Sequence, residues 1–430
     1  MLNKLLSIAT SVWLIFSAAF LMRTAFVWHQ QRIIPHEVLA SVPFENEAGN
    51  IADALAQGRG FSDVFRKPTG PTAWLAPVYP SLLAAIFRIF GQFTYSSFLA
   101  AALLNCVFSS AATIPLYFAA RRVSGVRLAA LAAWLWALCP SGIILPFEWI
   151  WDTSLSAFLA CAILWITFEL ASSADCIDWI AYAVLWAISL LTNPALGILL
   201  PFFLLWLVFR NTSENTNACR LPALVCVATI ILCCAPWTIR NYFHFHRLIP
   251  LRSNLPFELW IGNNDIFDEH AVGGTERITR FGEVRLYAQL GENAYMEEKR
   301  HLAWDFIRTH PLLEARLTFR RITAAWLGTE HPLHDFLSTD SLLIRSIFLF
   351  STGLTLATIV GVALLFLRRN PFAIPLSLVP LLFPLVYYAT HSSLRYRHPI
   401  EPILLLISAF TILSALHPRA ILAGPRDLAS

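Results

Sequence analysis

Long apolar runs separated by short polar breaks set the first expectation for this chain. Runs near 5–28, 97–120, 128–147, 153–171, 178–192, 194–210, 220–238, 342–367, 371–390 and 399–416 each approach the helical length that crosses about 30 Å of hydrocarbon. The first run lacks a small-residue cleavage site and stays apolar to Trp28, so it reads as a retained anchor rather than a signal peptide. An eleventh stretch, APVYPSLLAAIFRIFG at 76–91, is short, carries Pro77 and Pro80 at its start and contains Arg88. Counting it as a span would put the basic loop 121–127 and the pair Arg368, Arg369 on the outer side. Counting it as an interfacial helix puts 121–127, 210–220, Arg368, Arg369 and the tail residues Arg419 and Arg426 on one side, as the positive-inside rule requires. Ten spans with both ends cytoplasmic follow.

Composition agrees. Of 430 residues, 57% are hydrophobic and 13% charged, about half the charged share of a soluble domain. The expected class is an all-α polytopic membrane protein with about ten transmembrane helices and outward-facing juxtamembrane helices. Three parts are expected. Residues 1–238 form a transmembrane core that includes the first outer loop, 29–96. An extracytoplasmic segment of about 100 residues covers 239–341, and 342–430 hold the C-terminal spans. The basic residues fall mostly in short loops and read as topology signals, with no nucleic-acid partner implied. Eight cysteines, Cys219 and the pair Cys233, Cys234 among them, lie in apolar runs or short inner loops. None lies in the two long polar segments, which argues against a disulfide framework.

The unusual polar residues gather in the outward pieces. In PFENEAGNIADALAQGRGFSD, Glu45 and Glu47 precede a helical pattern of Ile51, Ala54 and Leu55 that stops at Gly58 to Gly60. Acids at a helix start suit the helix dipole, and a partly desolvated one is also a candidate general base. In the turn PFEWIWDTS, Glu148 and Asp152 flank Trp149 and Trp151. An acidic pocket shared with the first loop would suit a divalent cation, although no ligand spacing demands a metal. The long segment opens PWTIRNYFHFHRLIPLRSNLPFELWIGNN and brings Arg240, Asn241, Arg252 and Asn254 close together. Further on, LLEARLTFRRITAAWLG predicts an amphipathic helix lying on the membrane, with Arg316, Arg320 and Arg321 opposite Leu317, Ile322 and Trp326. In HSSLRYRHPIEP, before the last span, His391, Arg395, Tyr396 and Arg397 sit at an outer membrane surface. Two guanidiniums two residues apart on an extended turn project to one side, and guanidinium binds phosphate through paired, charge-assisted hydrogen bonds.

Taken in order, ENEAGNIADALAQGRGFS, PTGPTAWLAPVYPSLLAAIFRIFG, FEWIWDTSLSAFLA, LLTNPALGILLP, APWTIRNY, LRSNLPFELWIGNN, GENAYMEEKR and LRYRHPIEPILL carry a resemblance over almost the whole chain. The sequence resembles the lipid-linked-sugar-dependent membrane glycosyltransferases of the C superfamily (GT-C), in the dolichyl-phosphate-mannose protein mannosyltransferase-like (family 39) branch. The resemblance implies a lipid-facing groove with juxtamembrane helices across its mouth. It implies transfer of a sugar from a polyprenyl phosphate to an extracytoplasmic acceptor (protein, lipid or glycan), inversion being the expected stereochemistry. Within it Glu47 best fits the residue that deprotonates or positions the acceptor, with Glu45 in reserve, and Asp152 matches the acid of the second outward turn. Arg240, Arg395 and Arg397 fit the donor phosphate, and Glu148, Asn241, Arg252, Asn254, Tyr396 and His391 the substrate pocket. A bacterial inner membrane, with the site facing the periplasm, is the location this implies. The alternative is a flippase or transporter of a polyprenyl-linked sugar or lipid. A transporter would carry ionisable groups along the membrane middle, where these runs are nearly free of them.

Overall fold

The computed structural model describes residues 10–172, 175–211, 220–264, 282–329 and 341–416; Cys219, Arg419 and Arg426 lie outside them. Among the described residues the backbone is helix and loop, with one isolated bridge between Ser62 and Pro71. The first span is α1 (Val12–Gln30), and the first loop carries α2 (Glu47–Ala56) and α3 (Val78–Phe90). With 13 residues, α3 is about 20 Å long, too short to cross a bilayer. It packs along α2 as a juxtamembrane helix, as its prolines and Arg88 suggest.

Next, α4 (Tyr95–Ala111) runs into α5 (Thr113–Ala137), and this long stretch reverses at Ser124 and Gly125. Gly125 has φ 75° and ψ −169°, a conformation essentially confined to glycine. Ties across the reversal fix the return. Trp136 Nε1 donates to Ser109 O at 2.8 Å, Ser109 Oγ to Gly142 O at 2.9 Å, and Asn105 Nδ2 to Pro146 O at 3.4 Å. The returning span is completed by α6 (Pro140–Glu148). Then come α7 (Thr153–Leu170), α8 (Cys176–Leu190), α9 (Leu200–Asn211) after a tight turn at Pro194–Leu199, and α10 (Arg220–Phe245). The long polar segment contributes α11 (Leu255–Gly262), α12 (Glu283–Leu290), α13 (Glu292–Thr309) and α14 (Pro311–Leu327). The chain ends on α15 (Leu342–Leu367), α16 (Ala373–Leu382), α17 (Leu385–Ala389) and α18 (Glu401–Leu416).

Six of the helical stretches are long and apolar enough to cross a membrane, and four shorter apolar ones accompany them. The reversed stretch Tyr95–Ala137 is one of the six and α3 is one of the four. Each of the ten expected spans therefore coincides with a helix. The short basic turns meet at one end of the bundle. Arg122 donates to Ser172 Oγ at 2.9 Å, Asn370 Nδ2 to Val123 O at 3.1 Å, and Arg210 lies over the Phe372 ring. Leu116, Trp136, Trp186 and Leu404 belong to the core between the spans. A second, aromatic core joins the first loop to the polar segment around Trp74, whose ring lies 4.8 Å from Phe257 and 5.1 Å from Phe65.

One expectation is overturned on α14. Arg320 and Arg321 are buried rather than on an open polar face opposite the apolar one, while Leu312 and Phe319 are exposed. The cause is a demand for donors. Arg321 donates to Gly262 O, Asn263 Oδ1, Tyr388 O and Ala389 O and pairs with Glu314, satisfying carbonyls at the C-termini of α11 and α17. The junction is tight: a Cβ at Gly262 would stand 1.7 Å from Thr390 O. Gly262→Ala should therefore force the two helix ends apart at a cost of about 1–3 kcal/mol. A lowered melting temperature in detergent would be the readout, and an unchanged one would contradict this packing.

Candidate active site

At the end opposite the basic turns, several short segments are pinned so that their charged side chains act on one another. Glu47 is the first residue of α2, whose N-cap Asn46 accepts from Gly49 N at 2.9 Å and donates to Pro43 O at 2.8 Å. Asp152 closes the turn between α6 and α7. Asn105 Nδ2 donates to Trp149 O there, and its Oδ1 accepts from the Tyr79 hydroxyl at 3.1 Å. Arg252 is held through both neighbours: Trp237 Nε1 donates to Leu251 O, and Ser253 N donates to Ala73 O at 2.8 Å. Arg395 stacks on Trp149 at 4.2 Å and donates to the Tyr396 hydroxyl at 2.7 Å.

Burial raises the carboxyls here. Desolvation lifts Glu47 to about 7, with Glu258 pushing it further up and Arg395 pulling it down. Asp152 rises to about 6 from desolvation, against the attraction of Arg252 and a hydrogen bond from Ser156. Glu258 on α11 is raised by desolvation and opposed by Arg252 and Arg395. These mutual fields join Glu47, Asp152, Glu258, Arg252 and Arg395 in one electrostatic group. Among the described residues, neither Arg252 nor Arg395 has a carboxylate within ion-pair distance, so two guanidiniums stand available to an anion. No three or more His, Cys, Asp or Glu side chains among the described residues converge closely enough to hold a metal ion.

Other residues singled out in the sequence lie elsewhere. Glu45 is exposed and pairs with Arg66 at 3.0 Å. Glu148 is exposed at the end of α6. Arg240 turns into the first loop, donating to Thr72 O and Phe61 O at 2.6 Å each and to Asn241. Asn241 is fully buried and ties down Ile249 O at 2.9 Å. Arg397 is buried, donates to Ala325 O and Trp326 O, and pairs with Glu401 at 3.2 Å. Asn254, buried, donates to Glu258 at 2.7 Å, while His391 and Tyr396 hydrogen-bond to each other beside Arg395.

Three groups escaped the sequence reading. Glu258 sits inside the apolar string PFELW, its one signal being Asn254 four residues earlier. Glu292, 5% exposed, accepts from Thr72 Oγ1, Ala73 N, Ser253 Oγ and the Tyr287 hydroxyl, and so clamps the first loop to the segment carrying Arg252. Arg23, within α1, donates to Ser109 Oγ at 2.9 Å and to three backbone carbonyls.

The raised acids carry a stability consequence. Glu47 and Asp152 bind protons more tightly in the folded chain than in the unfolded one, so their stabilising protonation is complete below about pH 4 and is lost as pH rises through about 6 and 7. Glu47→Gln and Asp152→Asn should each raise the melting temperature, and more so at pH 8 than at pH 5. A gain that shrinks at high pH would contradict the burial of these acids.

Residues 72–239 match the family model described as dolichyl-phosphate-mannose-protein mannosyltransferase. The fold is similar to that of the oligosaccharyltransferase from Archaeoglobus fulgidus. Its apo form aligns with a TM-score of 0.54 at 14% identity, over 95% of this chain and 51% of that one. The same enzyme tethered to an acceptor peptide containing the NVT sequon aligns with a TM-score of 0.51 at 14% identity, over 97% and 51%. This chain thus spans about half the length of those structures, and at such identity the likeness is one of fold. No curated protein matches the chain. The protein is thus a membrane-type helical chain whose fold is like that of the oligosaccharyltransferase and whose residues 72–239 match the dolichyl-phosphate-mannose-protein mannosyltransferase family model.

Proposed function

We propose that this protein is a membrane glycosyltransferase that moves a sugar from a polyprenyl-phosphate donor to an acceptor hydroxyl outside the cytoplasm, with inversion. The observation that carries this reading is a raised carboxyl, Glu47, in the same electrostatic group as Arg252 and Arg395, two guanidiniums without carboxylate partners. The acceptor oxygen attacks the anomeric carbon as Glu47 takes its proton. The bond from that carbon to the phosphate oxygen breaks, and the polyprenyl phosphate leaves with the electron pair. Arg252 and Arg395 hold the phosphate and stabilise the charge that grows on it. Asp152, facing the same arginines, orients the sugar or acceptor hydroxyls. A proton affinity near pH 7 leaves Glu47 partly ionised at neutral pH, and able to hold the proton it receives. The bacterial inner membrane, with this pocket on the periplasmic side, is the proposed location, because the basic turns lie at the opposite end.

The transporter alternative draws less support. Arg23 and Glu401, two ionisable groups within the spans, are buried and bonded to protein. They staple helices rather than line a water path.

Purified protein should bind a polyprenyl monophosphate. Arg252→Ala or Arg395→Ala should weaken that binding by about 10- to 100-fold, the loss of a charged hydrogen-bonding partner. Glu47→Gln should bind as well as wild type, or better, yet transfer no sugar from a labelled lipid-linked donor pool. Equal lipid binding in both arginine variants, or full transfer by Glu47→Gln, would overturn the assignment.

A further inference from the structure

Glu47 and Arg252 come from separate segments, the first on α2 and the second between α10 and α11. A continuous string of hydrogen bonds joins them. Asn50, three residues after Glu47 on α2, donates through Nδ2 to Val64 O at 2.9 Å. Residues 61–72 fold back on themselves, with Asp63 N donating to Gly70 O at 3.0 Å and Thr72 N to Phe61 O at 3.1 Å. Thr72 Oγ1 and Ala73 N then donate to Glu292, as does Ser253 Oγ at 2.6 Å. Ser253 directly follows Arg252, and its own N–H donates to Ala73 O at 2.8 Å. We propose that Glu292 is a positioning residue that sets the spacing between Glu47 and Arg252, so that base and phosphate arm move as one body. The inference rests on the roles given to those two residues above.

The two oxygens of Glu292 have different tasks. Oε1 accepts from Ala73 N and Ser253 Oγ, so the first loop and the Arg252 segment meet on one atom. Oε2 accepts from Thr72 Oγ1 and from the Tyr287 hydroxyl on α12. Thr72 is fully engaged, since Oγ1 also accepts from Trp74 N at 3.0 Å and its carbonyl accepts from Arg240. The aromatic core around Trp74 holds the same segments together, but apolar burial has no direction and tolerates sliding. Hydrogen bonds weaken steeply off line, and so they fix the register.

Before Arg252 the chain is held by α10, with Trp237 Nε1 donating to Leu251 O and Asn241 Nδ2 to Ile249 O. After Arg252 the anchor is Ser253, tied to Glu292 and to Ala73. Arg395 lies outside this string. It stacks on Trp149 and donates to the Tyr396 hydroxyl. Disturbing the clamp should therefore be felt through Arg252 and not through Arg395.

Binding of a polyprenyl monophosphate to the full chain in detergent tests this. Ser253→Ala removes one donor and should weaken binding by about three- to tenfold. The same change should cost nothing further in Arg252→Ala, and its full effect should persist in Arg395→Ala. An undiminished loss in Arg252→Ala, or no loss in the single variant, would overturn the proposal. Glu292→Ala should bind worse than Ser253→Ala, whereas Glu292→Gln should restore most of the affinity. Its amide oxygen can face the Ala73 N–H, and its NH2 then meets the Thr72 and Tyr287 hydroxyls, which can turn to accept. A Gln variant as weak as the Ala variant would assign the effect to charge and overturn positioning. Hydrogen exchange is the second readout. Backbone amides in 70–76 and 250–254 should exchange faster together in Glu292→Ala, and unchanged exchange would overturn the clamp. If Arg252→Ala binds like wild type, the phosphate role of Arg252 falls, while exchange still decides whether Glu292 joins the two segments.

Discussion

A charge buried without partners costs several kcal/mol, and the pocket end of this protein is organised around that constraint. Glu292 is the clearest case. Its carboxylate accepts four hydrogen bonds drawn from the first loop, the segment between α10 and α11, and α12. Arg240, Arg321 and Arg397 mirror it with opposite sign, each donating to backbone carbonyls of distant segments. Loops that lack regular hydrogen bonding thereby obtain it from side chains. Remove those charges and the loops keep their sequence but lose the reason to lie where they do.

This division of labour sorts the arginines. Those that fasten loops sit among backbone carbonyls and donate to them. Those facing the pocket, Arg252 and Arg395, lack carboxylate partners and instead depress the proton affinity of nearby acids against strong desolvation. The acids remain raised even so, which is the condition for a group that must accept a proton near neutral pH. Fastening and chemistry are thus performed by the same residue types at different degrees of engagement.

That difference explains what the sequence could reveal. The spans were legible because a bilayer demands long apolar runs, and 76–91, read as a short helix apart from them, forms the 13-residue α3 packed along α2. Glu47 stood out by its place before a helical pattern, and Asp152 by its place in a turn between two spans. The roles of the arginines were not legible, since Arg240 and Arg397 differ from Arg252 and Arg395 only in partners remote along the chain. Glu292 looked like an ordinary acid at a helix start, a role it also fills, so nothing local hinted at Thr72, 220 residues away. Arg320 and Arg321 misled for the same reason: helical periodicity describes one helix, and their carbonyl acceptors belong to others.

Such distances have a consequence for how the protein is made. The contact between Thr72 and Glu292 closes a loop of 220 residues, and the field of Arg395 reaches Glu47 across a still longer stretch of chain. Synthesis runs from the N-terminus, so the acid is inserted long before its partners exist. Until the final helix pair emerges, the nascent chain carries a first loop with no clamp and a carboxyl with no guanidinium. Completion of this end of the bundle is therefore a late event in the biogenesis of this protein, and a chain truncated before its last span would hold the acids without the Arg395 guanidinium.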